Sequence, residues 1–424
     1  HGVRVVDPYR WLEDESSPEV QSWTRAQDAR TRRILKAPPE RGAIARRLET
    51  LLSIGVLGSP LPRRGRLFFE RRDGLEEQPL LYVREGLFGE DRVLVDPLAT
   101  SPDGTTALDW YAPSPDGRLL AYGLSEGGTE QSTLRVREVA SGRDLEGVIP
   151  FTRACSLAWR PDGSGFLYTR YPEPGSVPAG EENYHRHVFD HDLGADWKRD
   201  AEVFGAGRPP EDWPSVQLSP NGRWLLISVS RGWTRTDVYL ADLWHGAALE
   251  TIIEGEEVVV DPIVLDERLY LRTNHGAPRY RVVEVDPLHT HPEAWREVIS
   301  EGEDVLEQLA VVGETLLVHS LHQASSRVSL HDRNGHLRRH VDLPAIGTVS
   351  GITGEWDGEE AFLGFSSFAI PPTVVRLSLP QGSSEVWQRV EADVDPGAYA
   401  VRFTKAPSRD GTPVSLFLVH RTDR

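Results

Sequence analysis

"SPDGRLLAYGLSEGG", residues 114–128, carries two signals that pull apart. Gly123-Leu124-Ser125-Glu126-Gly127 matches G-x-S-x-G, the pattern of a nucleophile elbow. That elbow needs a strand, a sharp turn and then a helix, so that the serine stands at a helix N-terminus. A strand does precede Ser125, in Arg118–Tyr122. Beyond Gly127-Gly128, however, lies Ser132–Val139, where polar and apolar residues alternate as in a second strand. With no helix after it, Ser125 reads as part of a strand, with Gly127-Gly128 as the bend to the next, and not as a nucleophile.

The front half of the same stretch decides the fold. Ser-Pro-Asp-Gly followed by an apolar strand returns as "SPNGRWLLISVS" at 219–230 and "RPDGSGFLYTRYP" at 160–172. Looser versions of the same turn and strand surround Gly65, Glu267, Gly313 and Gly358. With Gly117, Gly163 and Gly222 these landmarks recur at intervals of 45 to 59 residues. Each interval has room for four short strands separated by Gly, Asp and Asn turns. Seven such units match a β-propeller of seven blades, whereas a β-sandwich has no need of seven repeats at this period.

The flanks differ. Ser17-Pro18-Glu19 reads as a helix start, with a hydroxyl cap, Pro in the first turn and an acid behind it. A second start lies at Pro38-Pro39-Glu40, and Ile44, Leu48, Leu51 and Leu52 then share one helical face. At the other end, "FTKAPSRDGTPVSLFLVHRTDR" at 403–424 reads as a hairpin about Asp410-Gly411. The expected class is mainly β: a short helical N-terminal arm over 1–55, a seven-bladed propeller over 56–396, and a separate segment over 397–424.

Composition narrows the partners. Among 424 residues, 47 Lys and Arg face 65 Asp and Glu, a formal net charge of −18. That balance argues against nucleic acid and anionic membrane surfaces, and the apolar runs are too short to span a bilayer. One cysteine, Cys155, excludes an intrachain disulfide and suits a reducing compartment. The expected location is the cytoplasm, with the periplasm as the alternative, because the sequence opens on His1 and its true start is expected to lie upstream. Methionine is absent.

Few residues announce chemistry. "NYHRHVFDHD" places His185, His187 and His191 together, and on a strand His185 and His187 would share a face. No cysteine or carboxylate set completes a metal site there. His289 and His291 in "LHTHPE" are weaker still, so neither metal nor cofactor is expected. Trp213 in "EDWPS" precedes a blade's first strand, and Arg231, Gly232 and Trp233 in "SRGWTRTD" lie between two strands. Such loops face one end of a propeller's channel. A Trp beside an Arg there suits a peptide, by apolar contact and hydrogen bond, with blade-edge packing as the alternative.

Residues 1–29, "HGVRVVDPYRWLEDESSPEVQSWTRAQDA", resemble the opening of the prolyl oligopeptidase family of serine peptidases, and Asp7–Asp14 is the most specific part. The resemblance continues through "LAWRPDGSGFLYTRYP", "LSPNGRWLLISVSRGW", "NHGAPRYRV" and "SSFAIPP" to "SRDGTPVSLFLVHR". It implies a propeller that gates the active site of an α/β-hydrolase domain, with the helical arm packed on that domain. The hydrolase domain would follow the propeller and carry the Ser, Asp and His triad; 397–424 would be its first strands. The implied activity is endopeptidase cleavage after proline in short peptides. No catalytic residue is assigned in this chain, and the 424 residues alone are expected to be inactive. By resemblance Trp233 and Trp213 stand at cleft-facing positions, and Ala154 stands where some relatives carry an aromatic, which widens the pocket. The implied partners are short proline-containing peptides and the chain's own hydrolase domain, in a monomer. An oligopeptidase B-like peptidase and a non-enzymatic, protein-binding propeller stay open as alternatives.

Overall fold

A computed structural model describes residues 4–74, 76–101, 104–392 and 395–423. The opening His1–Val3 of the family-like stretch and the final Arg424 lie outside the described residues. The chain divides into two compact units, His1–Ile54 and Gly55–Arg424.

The first unit holds a 3-10 turn, Arg10–Glu13, and two helices, Pro18–Leu35 and Arg41–Leu52. Ser17 is the N-cap residue and Pro18 opens the helix, as the sequence suggests, but the Ser17 hydroxyl makes no capping bond. Trp11 and Trp23 meet edge to face with ring centres 6.1 Å apart. Ile44, Leu48, Leu51 and Leu52 are all exposed.

The second unit contains seven four-stranded antiparallel meanders among the described residues, the first with an extra edge segment. The fourth blade is representative: Trp213–Leu218, Trp224–Arg231, Arg235–Asp242 and Glu250–Ile253, paired in chain order. All seven landmarks fall at the same place, the turn from a blade's first strand to its second. The two closest copies are built alike. Ser114 and Ser219 each accept a backbone N–H with the hydroxyl, from Leu119 and Trp224 at 2.9 Å. Gly117 and Gly222 sit at φ +68° and +74° in the left-handed region. A Cβ at Gly117 would meet the Arg63 carbonyl at 2.9 Å, and one at Gly222 would meet Pro161 at 2.9 Å. Each turn therefore rests on the preceding blade.

Blades are buried on both faces, so their second strands are apolar almost throughout rather than alternating. Period two still operates, but it sorts residues between two neighbours. Trp224 and Leu226 pack toward blade five, in one core with Leu269 and Leu271. Leu225 and Ile227 pack toward blade three, with Leu167 and Val188. One such cluster fills every junction between successive blades, and one joins the last blade to the first through Phe69, Tyr82, Phe362 and Val374. Among the described residues that last junction has no shared strand. Blade seven lies wholly within Thr348–Arg389 and blade one within Val56–Val95.

Beyond the blades, Tyr399–Pro407 and Pro413–Arg421 form the expected hairpin, with Asp410-Gly411 in its turn. No helix among the described residues is long and apolar enough to cross a membrane.

Candidate functional site on the propeller

All seven blades line a central cavity of about 740 Å³, which opens at the end carrying the first turn of each blade and includes Arg63, Tyr111, Trp159, Leu218, Val264 and Trp356. The opposite end carries the starts of first strands and the connections from second strands to third. Trp213 pairs with Ser230 and Arg231 with Arg235, which puts Trp213, Arg231 and Trp233 together at that opposite end. The same end of blade three carries Phe151–Ser156, Tyr171 and Arg186, since Arg170 pairs with His187.

Trp233 stands at the tip of the Gly232 turn and is 97% exposed. Arg231 does not point free beside it. Its Nε and Nη2 donate to Asp212 Oδ1 at 2.9 and 2.7 Å. Asp212 is buried and also accepts from Arg208 Nε at 2.6 Å. Arg208 reaches on to Asp237 and donates to the Tyr239 hydroxyl, while Arg235 donates twice to Asp237. Burial alone would raise the Asp237 carboxyl, but Arg235, the Gly255 amide and Arg208 hold it below the usual carboxylate range. Arg231 thus belongs to a charge network that fixes the rim of blade four.

The arginine that meets a tryptophan here is Arg186. Its guanidinium lies 4.4 Å from the centre of the Trp213 ring. Trp213 is 43% exposed, whereas Arg186 is 3% exposed. Tyr171 abuts the same indole, ring centres 6.3 Å apart at 72°. Arg186 Nη2 donates to Thr169 Oγ1 at 2.7 Å, and the same hydroxyl accepts the Ser156 N–H at 2.9 Å. Cys155 lies within the charge of Arg186, and burial pushes its thiol up to about 11. Ala154, at φ +45°, has the methyl side chain the sequence predicts to widen this region. Arg186 sits inside the histidine-rich stretch, between the two histidines whose spacing suggests a metal site. The signal that marks it is an Arg immediately before a blade strand, two elements from a Trp.

The histidines do not converge. His185 precedes the strand His187–Asp192 and has φ +58°, so strand alternation does not relate it to His187. Each takes a separate carboxylate: His185 with Glu181 at 2.6 Å, His187 with Glu202 at 3.1 Å and His191 with Asp200 at 2.9 Å. His289 pairs with Asp286 on the surface. No group of three potential metal ligands occurs among the described residues. Ser125 lies in the strand Leu119–Glu126, donating to Asp109 at 2.9 Å, and Gly127 and Gly128 form the bend after it.

Residues 1–390 match the family model described as the N-terminal β-propeller domain of prolyl oligopeptidase. The chain belongs to the prolyl oligopeptidase family. A prolyl endopeptidase of Elizabethkingia miricola is 28% identical over 423 residues, spanning 99% of this chain and 59% of that protein. A prolyl oligopeptidase of Omphalotus olearius is 30% identical, spanning 100% of this chain and 62% of that protein. A structure from a study of two prolyl endopeptidases, concerned with inter-domain dynamics in catalysis and specificity, superposes with a TM-score of 0.91 at 34% identity. It covers 100% of this chain and 62% of that one. Prolyl oligopeptidase B from Galerina marginata, bound to a 35mer hydrolysis and macrocyclization substrate, shares the fold at a TM-score of 0.88 and 22% identity. The chain therefore corresponds to the propeller portion of these proteins and spans about 60% of the length of the curated relatives it matches.

Proposed function

We propose that this chain is the gating propeller of a serine-type prolyl oligopeptidase, which cleaves short peptides on the carboxyl side of proline. The observation that carries the reading is the match of residues 1–390 to the family's propeller domain. In this reading the nucleophile, base and oxyanion hole reside in the chain's own α/β-hydrolase domain, of which the hairpin Tyr399–Arg421 forms the first strands. Exposed apolar residues on the helices (Trp11, Trp23, Leu48, Leu51) and on the hairpin (Val414, Leu416, Leu418) support a packing partner of that kind. Trp213 and Trp233 face the substrate side. Arg231 acts there through the network that holds the rim. The protein works as a cytoplasmic monomer and requires no cofactor.

A chromogenic Gly-Pro anilide tests this. The full-length protein turns it over and loses that activity to a serine-directed phosphonate; the 424-residue chain does neither. Turnover by the 424-residue chain that the phosphonate abolishes would overturn the assignment of the nucleophile. Absence of any cleavage after proline by the full-length protein would overturn the activity. Trp233→Ala raises KM for peptides extending N-terminally from the proline; an unchanged KM removes Trp233 from the substrate path.

A further inference from the structure

A buried guanidinium is stable when carboxylates or several other acceptors take its five N–H groups. Several arginines of this propeller follow that rule: Arg71 and Arg84 share Asp91, and Arg208 and Arg231 share Asp212, while the buried Arg170 instead lies over the Phe189 and Trp197 rings. Arg186 does not. It is 3% exposed and its one hydrogen bond goes to the neutral Thr169 hydroxyl. Among the described residues its Nε and Nη1 have no hydrogen-bond partner, and the Tyr171 hydroxyl, beside the guanidinium and within reach of its charge, has no other partner either. Burial pushes the Arg186 guanidinium below the usual arginine range.

The neighbouring carboxylates are already taken. Glu130 is paired with Arg153 at 2.7 Å, and Asp212 with Arg208 and Arg231. Arg153, although paired with Glu130, also acts on the Tyr171 hydroxyl. Within a chain of net charge −18, this spot is electropositive and rich in unused donors. It is roofed by an indole that is itself half-exposed. An unpaired buried cation of this kind is unfavourable unless an anion completes it.

We propose that Arg186 and Tyr171, beneath the Trp213 ring, form a subsite for a carboxylate carried by the peptide substrate. The carboxylate is that of an acidic side chain or of the peptide's own C-terminus. Trp213 turns aside to admit it and then packs on the adjoining residue. Arg186 would be a specificity residue, remote from the reacting bond. The inference rests on the reading of this chain as the substrate-facing part of a prolyl peptidase, and it adds a preference that proline recognition alone does not require.

The test uses the full-length protein and N-acetylated peptides. KM is compared for Glu-Gly-Pro and Gln-Gly-Pro anilides, and affinities for the corresponding amides and for the free acid of the Gln peptide are measured by calorimetry. A charge-assisted pair of hydrogen bonds predicts about tenfold tighter binding of one carboxylate-bearing peptide over its neutral partner. Preference for Glu over Gln identifies a side-chain carboxylate; preference for the free acid over the amide identifies a terminal one. Arg186→Gln removes the difference, and Arg186→Lys keeps part of it. Equal affinities throughout the wild-type series, or a preference that survives in Arg186→Gln, would overturn the subsite. Because calorimetry requires no cleavage, it decides the subsite even when none of the anilides is hydrolysed. A Glu-Gly-Ala anilide cleaved as well as the proline version would sink the proline reading and leave the subsite standing.

Discussion

The Thr353 hydroxyl donates to the Pro60 carbonyl at 2.6 Å, and so ties the last blade to the first. Around it, the Arg64 backbone N–H donates to Glu355 and its side chain to Asp357. Arg84 reaches Gln388, and Phe69 and Phe362 both meet Trp387 edge to face. Each of these contacts has a side chain on at least one side, and among the described residues no backbone-to-backbone pairing closes the ring here. Phe362, fully buried there, is predicted to cost about 3–5 kcal/mol when truncated to Ala. Hydrogen exchange in that variant rises first in blades one and seven. Uniform loss of protection around the ring would show that the junction holds no special weakness.

Arg231 and Trp233, two positions apart, are predicted to respond in opposite ways. Arg231→Ala leaves Asp212, 5% exposed, with Arg208 alone and destabilises by about 2 kcal/mol. Trp233→Ala, at a 97% exposed site, changes stability by less than about 0.5 kcal/mol. Urea titration of both variants checks this; similar losses would mean that the turn packs in a way its exposure denies.

Much of this was legible in the sequence. Gly117 and Gly222 mark the same turn in two blades because a left-handed residue and a hydroxyl-capped strand start leave a fixed spelling, Ser-Pro-Asp/Asn-Gly. Ser125 could be set aside because a strand comes after it, and its hydroxyl is indeed committed to Asp109. Arg231 and Arg186 were harder. Whether an arginine is spent on a neighbour or left unpaired depends on which carboxylate folds back to it. Asp212 lies close to Arg231 only through strand pairing, and nothing local reports that no acid reaches Arg186.

Cys155 is predicted to resist thiol reagents in the folded chain. Its partly buried thiol is raised to about 11 by desolvation, so at pH 8 it is held almost wholly as the thiol. Reaction with a disulfide reagent at pH 8 proceeds at least a hundredfold faster after unfolding in guanidinium. Stoichiometric labelling of the native protein within seconds would contradict the burial.

Glu70 provides a pH test. Burial raises its carboxyl above the ordinary glutamate range. Folding therefore favours the protonated form, and its contribution is full below the unfolded pKa and lost as pH rises through the folded one. Glu70→Gln is predicted to raise Tm at pH 7, with the gain vanishing toward pH 4. A gain independent of pH would assign the effect to packing instead.

The junction between blades seven and one has a consequence for how the ring fails. Six junctions are spanned by the chain itself, so parting one of them drags a covalent connection with it. The remaining one is a latch without a thread. When its aromatic cluster lets go, no strand is pulled from any sheet, and each blade keeps its own hydrogen bonds. Parting there would break side-chain contacts and leave the hydrogen bonding within each blade intact.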